Sequence, residues 1–308
     1  MTTKVFALRP SEDWICDRFV DEWDSMSHQA CLNPSEADVI WLLSDWCWRR
    51  VPRSMLERKR VVTTVHHIVP SKFDAAARAD FAERDEITTA YHVPCDVTRQ
   101  QIKELTQKPI HVIPFWVNGD VWHKNSSLNR SELRAVYGLP HDGYLIGSFQ
   151  RDTEGSDLVS PKLEKGPDLL CDAIVAMASE HRNTCVVLGG WRRQYVEGRL
   201  LAAGVAYRKF ERPPINVIRD LYCTLDLYLV TARHEGGPQA IVECAALGVP
   251  IVSTPVGIAS RILHPLSVGS DVTTLTPDTV HARAAVEMLM LPHGMDQFYD
   301  LFDRVVNQ

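Results

Sequence analysis

Two hydrophobic patterns alternate along this chain. Short apolar, β-branched runs bounded by turn residues read as buried strands, and longer segments with apolar residues at three- and four-residue spacing read as amphipathic helices. In the first half, strands are predicted at 4–8 (KVFAL), 38–44 (DVIWLLS), 60–67 (RVVTTVHH), 87–93 (ITTAYHV) and 110–114 (IHVIP). Helices at about 12–25, 53–58, 71–85 and 96–106 separate them. In the second half, strands at 144–149, 184–190, 205–210, 225–232 and 251–255 alternate with helices at 166–180, 193–203, 214–222 and 238–247. Helices at 277–290 and 294–306 close the chain. Strands that alternate with helices build parallel sheets. The pattern is therefore that of an α/β protein with two doubly wound halves.

Glycine divides the chain more sharply than the pattern does. All 16 glycines lie at or after Gly119, whereas seven of the eight tryptophans precede residue 123. The boundary is placed in HVIPFWVNGDVWHK (111–124), where a β-like run ends at Pro114 and an Asn-Gly turn follows. This gives a first domain over 1–118 and a second over 119–291; 308 residues suffice for both.

Composition narrows the function classes. With 45% hydrophobic and 23% charged residues the chain is of the soluble globular kind, and a formal charge of -6 argues against nucleic-acid binding. It contains no apolar run long enough to span a membrane. Glu12 and Asp13 stand where a signal peptide needs its apolar core, so a cytoplasmic location is expected. The eight cysteines include no C-x-x-C pair, which argues against zinc and redox motifs.

The most informative stretch is HEGGPQAIVECAALGVPIVSTPVG (234–257). A buried strand precedes it, and Pro238 suits a first helical position while Gly248 suits the left-handed residue past the helix end. The free N–H groups and positive dipole end of such a helix attract an anion, and Gly236 and Gly237 carry no Cβ to hold one off. Gln239 belongs to the same N-terminal group. Glu243 lies five residues in, or roughly 7 to 8 Å along the axis, about one sugar ring from a bound phosphate. It is placed to accept hydrogen bonds from ribose hydroxyls, and Glu235 to face whatever hangs from the far phosphate. Acidic residues are favoured at any helix start by about 0.3 to 1 kcal/mol, so the Glu pair alone is unspecific. Its frame of Gly-Gly-Pro, AALGVP and IVSTP is what makes it informative.

That string resembles the signature of family 4 glycosyltransferases, and the resemblance covers most of the chain from about residue 60 onward. It implies the GT-B fold, two Rossmann-like domains facing a cleft, with a final helix at about 292–308 crossing back to the first domain. It also implies a retaining transfer from a nucleotide-diphosphate sugar, with no metal or other cofactor; no D-x-D pair occurs. IGSFQRD (146–152) and LEKGPDLLCDAI (163–174) resemble the family blocks that place an Arg and a Lys on the leaving diphosphate, here Arg151 and Lys165. VVTTVHHIVP resembles a strand end whose histidine touches the donor sugar; His66 takes that place and His67 stands where the family has an aspartate. VIPFWVNGDVW resembles the interdomain linker, with Trp116 and Val117 near its glycine position. One departure stands out. The family's glycine-rich loop after the first strand is replaced by ALRPSEDW, and TEGSDLVSPK (153–162) is an extra loop beside the diphosphate site.

WCWRRVPRSMLERKR (46–60) packs six basic residues against one Glu beside Trp46 and Trp48, a candidate contact with anionic membrane or a charged acceptor. The resulting expectation is a hexosyltransferase acting on a glycan, lipid-linked or small-molecule acceptor hydroxyl, cytoplasmic or peripheral at the inner face of a membrane. A nucleotide-sugar epimerase and a non-catalytic donor-binding subunit are the alternatives. A dinucleotide-dependent dehydrogenase is weaker, since neither half carries G-x-G-x-x-G after its first strand.

Overall fold

The computed structural model describes residues 2–124 and 127–308. The chain divides into two compact units, Met1–Trp116 with Leu289–Gln308, and Val117–Met288. The first contains β1 (Val5–Ala7), α1 (Ile15–Met26), β2 (Val39–Leu42), α2 (Arg53–Leu56), β3 (Arg60–Thr64), α3 (Ala75–Ile87), β4 (Ala90–Val93), α4 (Asp96–Ile102) and β5 (Ile110–Val112). The second contains α5 (Arg130–Val136), β6 (Tyr144–Phe149), α6 (Pro167–Glu180), β7 (Thr184–Gly190), α7 (Gln194–Ala202), β8 (Ala206–Glu211) and α8 (Ile215–Thr224). It continues with β9 (Leu227–Val230), α9 (Gln239–Leu247), β10 (Ile251–Ser253), α10 (Ala259–Ile262) and α11 (Thr279–Val286), and α12 (Asp296–Val306) returns to the first unit.

Both sheets are parallel. In the second unit the order β10-β9-β6-β7-β8 places the first strand, β6, at the centre, with successive strands added on either side of it. In the first unit the order runs β1-β2-β3-β4-β5, and the reversal expected of a doubly wound sheet is reduced to one bridge. Ala30 pairs with Val5, where the Val5 N–H donates to the Gln29 carbonyl (2.8 Å) and the Cys31 N–H to the Val5 carbonyl (3.0 Å). The chain thus steps outside β1 before returning to β2, which explains why α1 covers a different face from α2 to α4.

Strand alternation makes those faces legible. Val39, Trp41 and Leu43 point with Val5 and Ala7 into a core closed by Phe19, Val20 and Trp23 of α1 and Phe298, Phe302 and Val305 of α12. Ile40 and Leu42 point the other way, against Trp48, Leu56 and Ile87. In the second unit Ile146, Val186, Leu188, Leu227 and Leu229 pack on Leu170, Ile174 and Leu200.

Several boundaries differ from the pattern, each for a local reason. The helix expected from about residue 12 starts at Ile15 because Ser11 and Asp13 adopt left-handed backbone (φ 58° and 55°). The strand expected over 60–67 stops at Thr64, and His66 turns out of the sheet. The helix expected over 277–290 stops at Val286 and tightens into a 3-10 turn at Glu287–Leu289. Helix α5 was not anticipated. Its sequence signal is Asn129-x-x-Glu132, a capping box in which the Asn129 side chain accepts from the Glu132 N–H (3.1 Å) and the Glu132 carboxylate from the Asn129 N–H (2.7 Å).

Candidate functional site

The switch point of the second sheet lies between β6 and β9, where successive connections leave in opposite directions. Loops at the carboxyl ends of two such strands diverge and leave a crevice, the usual ligand site of open α/β sheets. Arg151 follows β6, and Glu235, Gly236, Gly237, Pro238 and Gln239 follow or cap the loop after β9. The opposite, amino-terminal ends of β9 and β10 border a cavity of about 250 Å³ lined by Lys124, Arg130, Leu225 and Pro250, away from these residues.

Lys165 reaches the same loops on a short 3-10 turn, Leu163–Lys165. The turn ends at Gly166 in left-handed backbone (φ 60°), where a Cβ would meet the Thr231 carbonyl oxygen at 1.9 Å, so no other residue fits without movement. Thr231 Oγ1 donates to the Gly166 carbonyl (2.9 Å), and Gln150 Nε2 to the Lys165 carbonyl (3.1 Å). The N–H groups of Arg233 and His234 both donate to the Glu164 carbonyl (2.8 and 3.1 Å). Arg233 then forks onto both oxygens of Asp168 (2.7 and 2.6 Å). Backbone and side chain together therefore stitch the E-K-G turn to the exits of β6 and β9.

The outcome is a direct ion pair between Lys165 Nζ and the Glu235 carboxylate, 18% and 17% exposed. An ammonium has three N–H donors, so this bond does not exhaust it. The pair joins two of the sequence-predicted residues, and it holds a cation ready at the switch point.

Helix α9 begins one residue later than expected. Pro238 is the N-cap, with φ -57° and ψ 108°, and Gln239 is the first helical residue. The extended ψ at Pro238 turns the chain before the helix can start. Pro238 supplies no side-chain cap to this end, while Gly248 closes the other in left-handed backbone (φ 65°), as its sequence position predicts. Gln239 Oε1 is buried with no hydrogen-bond partner among the described residues. Glu243 is 6% exposed and accepts a hydrogen bond from Tyr222 Oη (3.0 Å). Burial, reinforced by Tyr228 and by Glu243 itself, pushes the Tyr222 hydroxyl well above its ordinary pKa, so it stays a donor to that carboxylate. Behind the loop, a Cβ on Gly257 would lie 2.3 Å from the Gly236 carbonyl oxygen, so the turn after β10 packs directly on the Gly-Gly backbone.

Arg151 is oriented differently from Lys165. Its guanidinium lies over the Trp191 ring at 5.0 Å and its Nε donates to the Thr153 carbonyl (3.3 Å). Next to it, Asp152 and Arg193 form a fully buried ion pair; Arg193 also donates to the Gly189 carbonyl (2.9 Å). A buried pair of this kind contributes by fixing geometry more than by net stability. Here it locks the exit of β6 to that of β7. No local pattern in the sequence marks this pair, because its two residues meet only once β6 lies beside β7. The extra loop 153–162 closes on itself: Thr153 bridges Pro161, the Glu154 N–H donates to the Ser160 carbonyl (2.9 Å), and Ser160 Oγ donates to Asp157 (2.6 Å).

In the first unit His66 and His67 follow β3. His66 Nε2 donates to the Leu43 carbonyl (2.9 Å), lies 3.7 Å from Cys16 Sγ, and its ring stacks on Phe115 at 5.6 Å. Burial opposes charging of the ring, but Cys16, the Leu43 carbonyl and Asp45 outweigh it and raise its pKa to about 9. The glycine-free loop after β1 is filled from within. Asp17 accepts from the N–H groups of Ser11 (2.8 Å), Glu12 (2.7 Å) and Trp14 (3.4 Å). Burial alone would raise this carboxyl; the N–H groups outweigh it and hold its pKa below the ordinary range. In the basic stretch, Arg49 pairs with Asp80 and Glu83, Arg53 with Glu57 and Glu86, and Lys59 donates to the carbonyls of Ser35 and Ala37. Arg58 and Arg60 remain exposed. Among the described residues no helix is long and apolar enough to cross a membrane.

The family match among known proteins falls on the second unit. Residues 158–289 match the family model described as Glycosyl transferases group 1. The lipopolysaccharide core biosynthesis mannosyltransferase LpsB of Rhizobium meliloti is 26% identical over 142 residues, 44% of this chain and 38% of that protein. The putative teichuronic acid biosynthesis glycosyltransferase TuaC of Bacillus subtilis is 24% identical over 167 residues, 53% of this chain and 38% of that protein. The aligned segments thus span well under half the length of these relatives. Among solved structures, Anabaena HepE in complex with UDP superposes with a TM-score of 0.73 at 14% identity, covering 98% of this chain and 100% of that one. A glycosyltransferase from Rickettsia africae gives 0.68 at 12% identity, covering 100% and 99%. Two parallel Rossmann-like units with these structural likenesses establish the fold of the chain as GT-B.

Proposed function

We propose that this protein is a retaining glycosyltransferase that moves a sugar from a nucleotide-diphosphate donor to an acceptor hydroxyl. The observation that carries the reading is the Lys165–Glu235 ion pair at the β6/β9 switch point, beside the N-terminus of α9, whose N-cap Pro238 supplies no side-chain bond. Cleaving a sugar from a nucleotide leaves charge on the β-phosphate, and a preorganised cation with helix N–H groups stabilises it. Lys165, Arg151 and the N–H groups around Gly237 and Gln239 take the diphosphate. Glu243, oriented by Tyr222, takes the ribose, and Glu235 the donor sugar hydroxyls. The acceptor oxygen attacks the anomeric carbon on the face the phosphate leaves, and the departing phosphate oxygen takes its proton. No metal enters this scheme. The role of His66 and His67 rests on the resemblance alone. The matched relatives act in lipopolysaccharide core and teichuronic acid biosynthesis by name, which supports a glycan or lipid-linked acceptor.

The test is a thermal-shift screen against UDP-, GDP-, ADP- and dTDP-sugars, followed by transfer assays with the donor that binds. A bound ligand raises the melting temperature. No shift with any donor sinks the reading. A second reading, donor binding without transfer, is favoured by one observation: the N–H groups of the loop after β1 are taken by Asp17. Calorimetric donor binding with neither hydrolysis nor transfer would establish it.

A further inference from the structure

Three guanidiniums converge on one indole at the carboxyl ends of β6, β7 and β8. Arg151, Arg192 and Arg212 lie over the Trp191 ring at 5.0, 5.2 and 4.5 Å. Among the described residues none of the three makes an ion pair, although the chain as a whole is acidic. Like charges drawn together without counter-charge repel. What holds them is the π-face of Trp191, which attracts each cation separately, hydrogen bonds from Arg151 Nε to the Thr153 carbonyl (3.3 Å) and from Arg192 to the Gly155 carbonyl (3.1 Å), and a rigid backbone frame. In that frame the N–H groups of Asp152 and Thr153 donate to the Arg192 carbonyl (3.3 and 3.0 Å), and the Arg212 N–H to the Gly190 carbonyl (3.3 Å).

The backbone adds an independent observation. Arg192 and Arg212 both sit in the left-handed region, with φ 54° and 45°. Glycine or asparagine would hold each turn at lower cost. A non-glycine residue kept in such a conformation points to a use for its side chain. Both strained positions deliver a guanidinium to the same ring.

We propose that Arg151, Arg192 and Arg212, gathered by Trp191, form a binding site for a phosphate group of a small ligand, additional to the anion site of Lys165 and α9. With guanidiniums over its faces the indole is a scaffold for charge, so the cluster suits an anion and not a stacked neutral ring. Phosphate is the natural guest of several guanidinium forks, because its oxygens accept from more than one at once. The inference goes beyond the donor reading, with which it shares Arg151 alone.

The experiment measures binding of inorganic tripolyphosphate to the full chain by calorimetry at fixed ionic strength. The Arg192→Asn/Arg212→Asn double variant keeps residues that tolerate the left-handed backbone, and its melting temperature reports folding. The double variant is expected to bind at least tenfold more weakly, a loss larger than that of Lys165→Gln, and Arg212→Lys to lose part of the affinity because an ammonium has no fork and stacks less well. Equal weakening by Lys165→Gln overturns the proposal by moving the binding to the α9 site, while donor binding there stays testable by the screen above. Unchanged affinity in the folded double variant also overturns it. Hexose 1-phosphate and oligogalacturonate arms identify the carrier: tighter binding of the carboxylated oligomer overturns the phosphate assignment.

Discussion

The loop after β1 and the loop after β9 each leave the carboxyl end of a parallel strand and lead into a helix, although β1 lies at the edge of its sheet and β9 inside its own. One is satisfied from within. Asp17 bonds the N–H groups of Ser11, Glu12 and Trp14, so the start of α1 has its anion built in. The other has no side-chain cap at Pro238, a buried and unpartnered Gln239 Oε1, and a Lys165–Glu235 pair beside it. The first loop carries its own charge, whereas the second meets its cation from a neighbouring turn. The glycine distribution follows the same division: the second unit has Gly166, where backbone meets backbone, and the first has left-handed Ser11 and Asp13 in a loop that an internal carboxylate holds.

The largest way to break this contrast is Gly166→Ala. A Cβ at 1.9 Å from the Thr231 carbonyl oxygen forces the turn off β9, and overpacking together with left-handed strain costs about 3 kcal/mol or more. Urea unfolding should show that loss, and Lys165 should lose its register with Glu235. Wild-type stability in this variant would mean the turn is not pinned. Next, Lys165→Ala should lower turnover roughly a hundredfold with little change in KM, as removal of a preorganised charge donor does; Glu243→Ala should instead raise the donor Kd about tenfold. Wild-type kinetics in both variants would falsify the site assignment. Asp17→Asn should cost about 1 to 3 kcal/mol, read as a lower melting temperature, while donor binding by the second unit stays within twofold. A loss of donor affinity larger than the loss of stability would erase the contrast between the loops.

The smallest effect concerns pH and again separates the units. His92 is fully buried in the first. Its Nε2 must donate to the Ile113 carbonyl (2.7 Å), so Nδ1 accepts from Thr64 Oγ1 (2.9 Å), which in turn accepts from Trp41 Nε1 (2.8 Å). Burial pushes its pKa down to about 3. The unfolded chain, with an ordinary histidine near 6.5, then binds the extra proton between those values, so stability falls as pH drops through that window. The slope is about 1.4 kcal/mol per pH unit for this group. Urea midpoints at pH 6.5 and 5 should differ accordingly, and a flat profile would place a charged histidine in the core.

Much of this was legible in the chain. Ile146, Leu188 and Leu229 announce buried strands because apolar runs bounded by turns have few other uses, and Gly248 marks a helix end because only the left-handed region suits it there. Asn129 and Glu132 mark α5 just as clearly, through its capping box. Asp152–Arg193, Tyr222–Glu243 and the arginines on Trp191 were not legible, since each joins residues whose proximity depends on which strand lies beside which.

By itself the sequence determined the two α/β halves, their composition and the residues of the E-K-G and H-E-G-G-P strings, because local backbone preference and hydrophobic periodicity act over a few residues. Only the tertiary structure decided that Lys165 meets Glu235, that Ala30 supplies the missing reversal beside β1, and that Asp17 fills the first loop. Those depend on strand order and on hydrogen bonds between distant segments, and the free energy that selects them belongs to the assembled sheet and not to any stretch of chain.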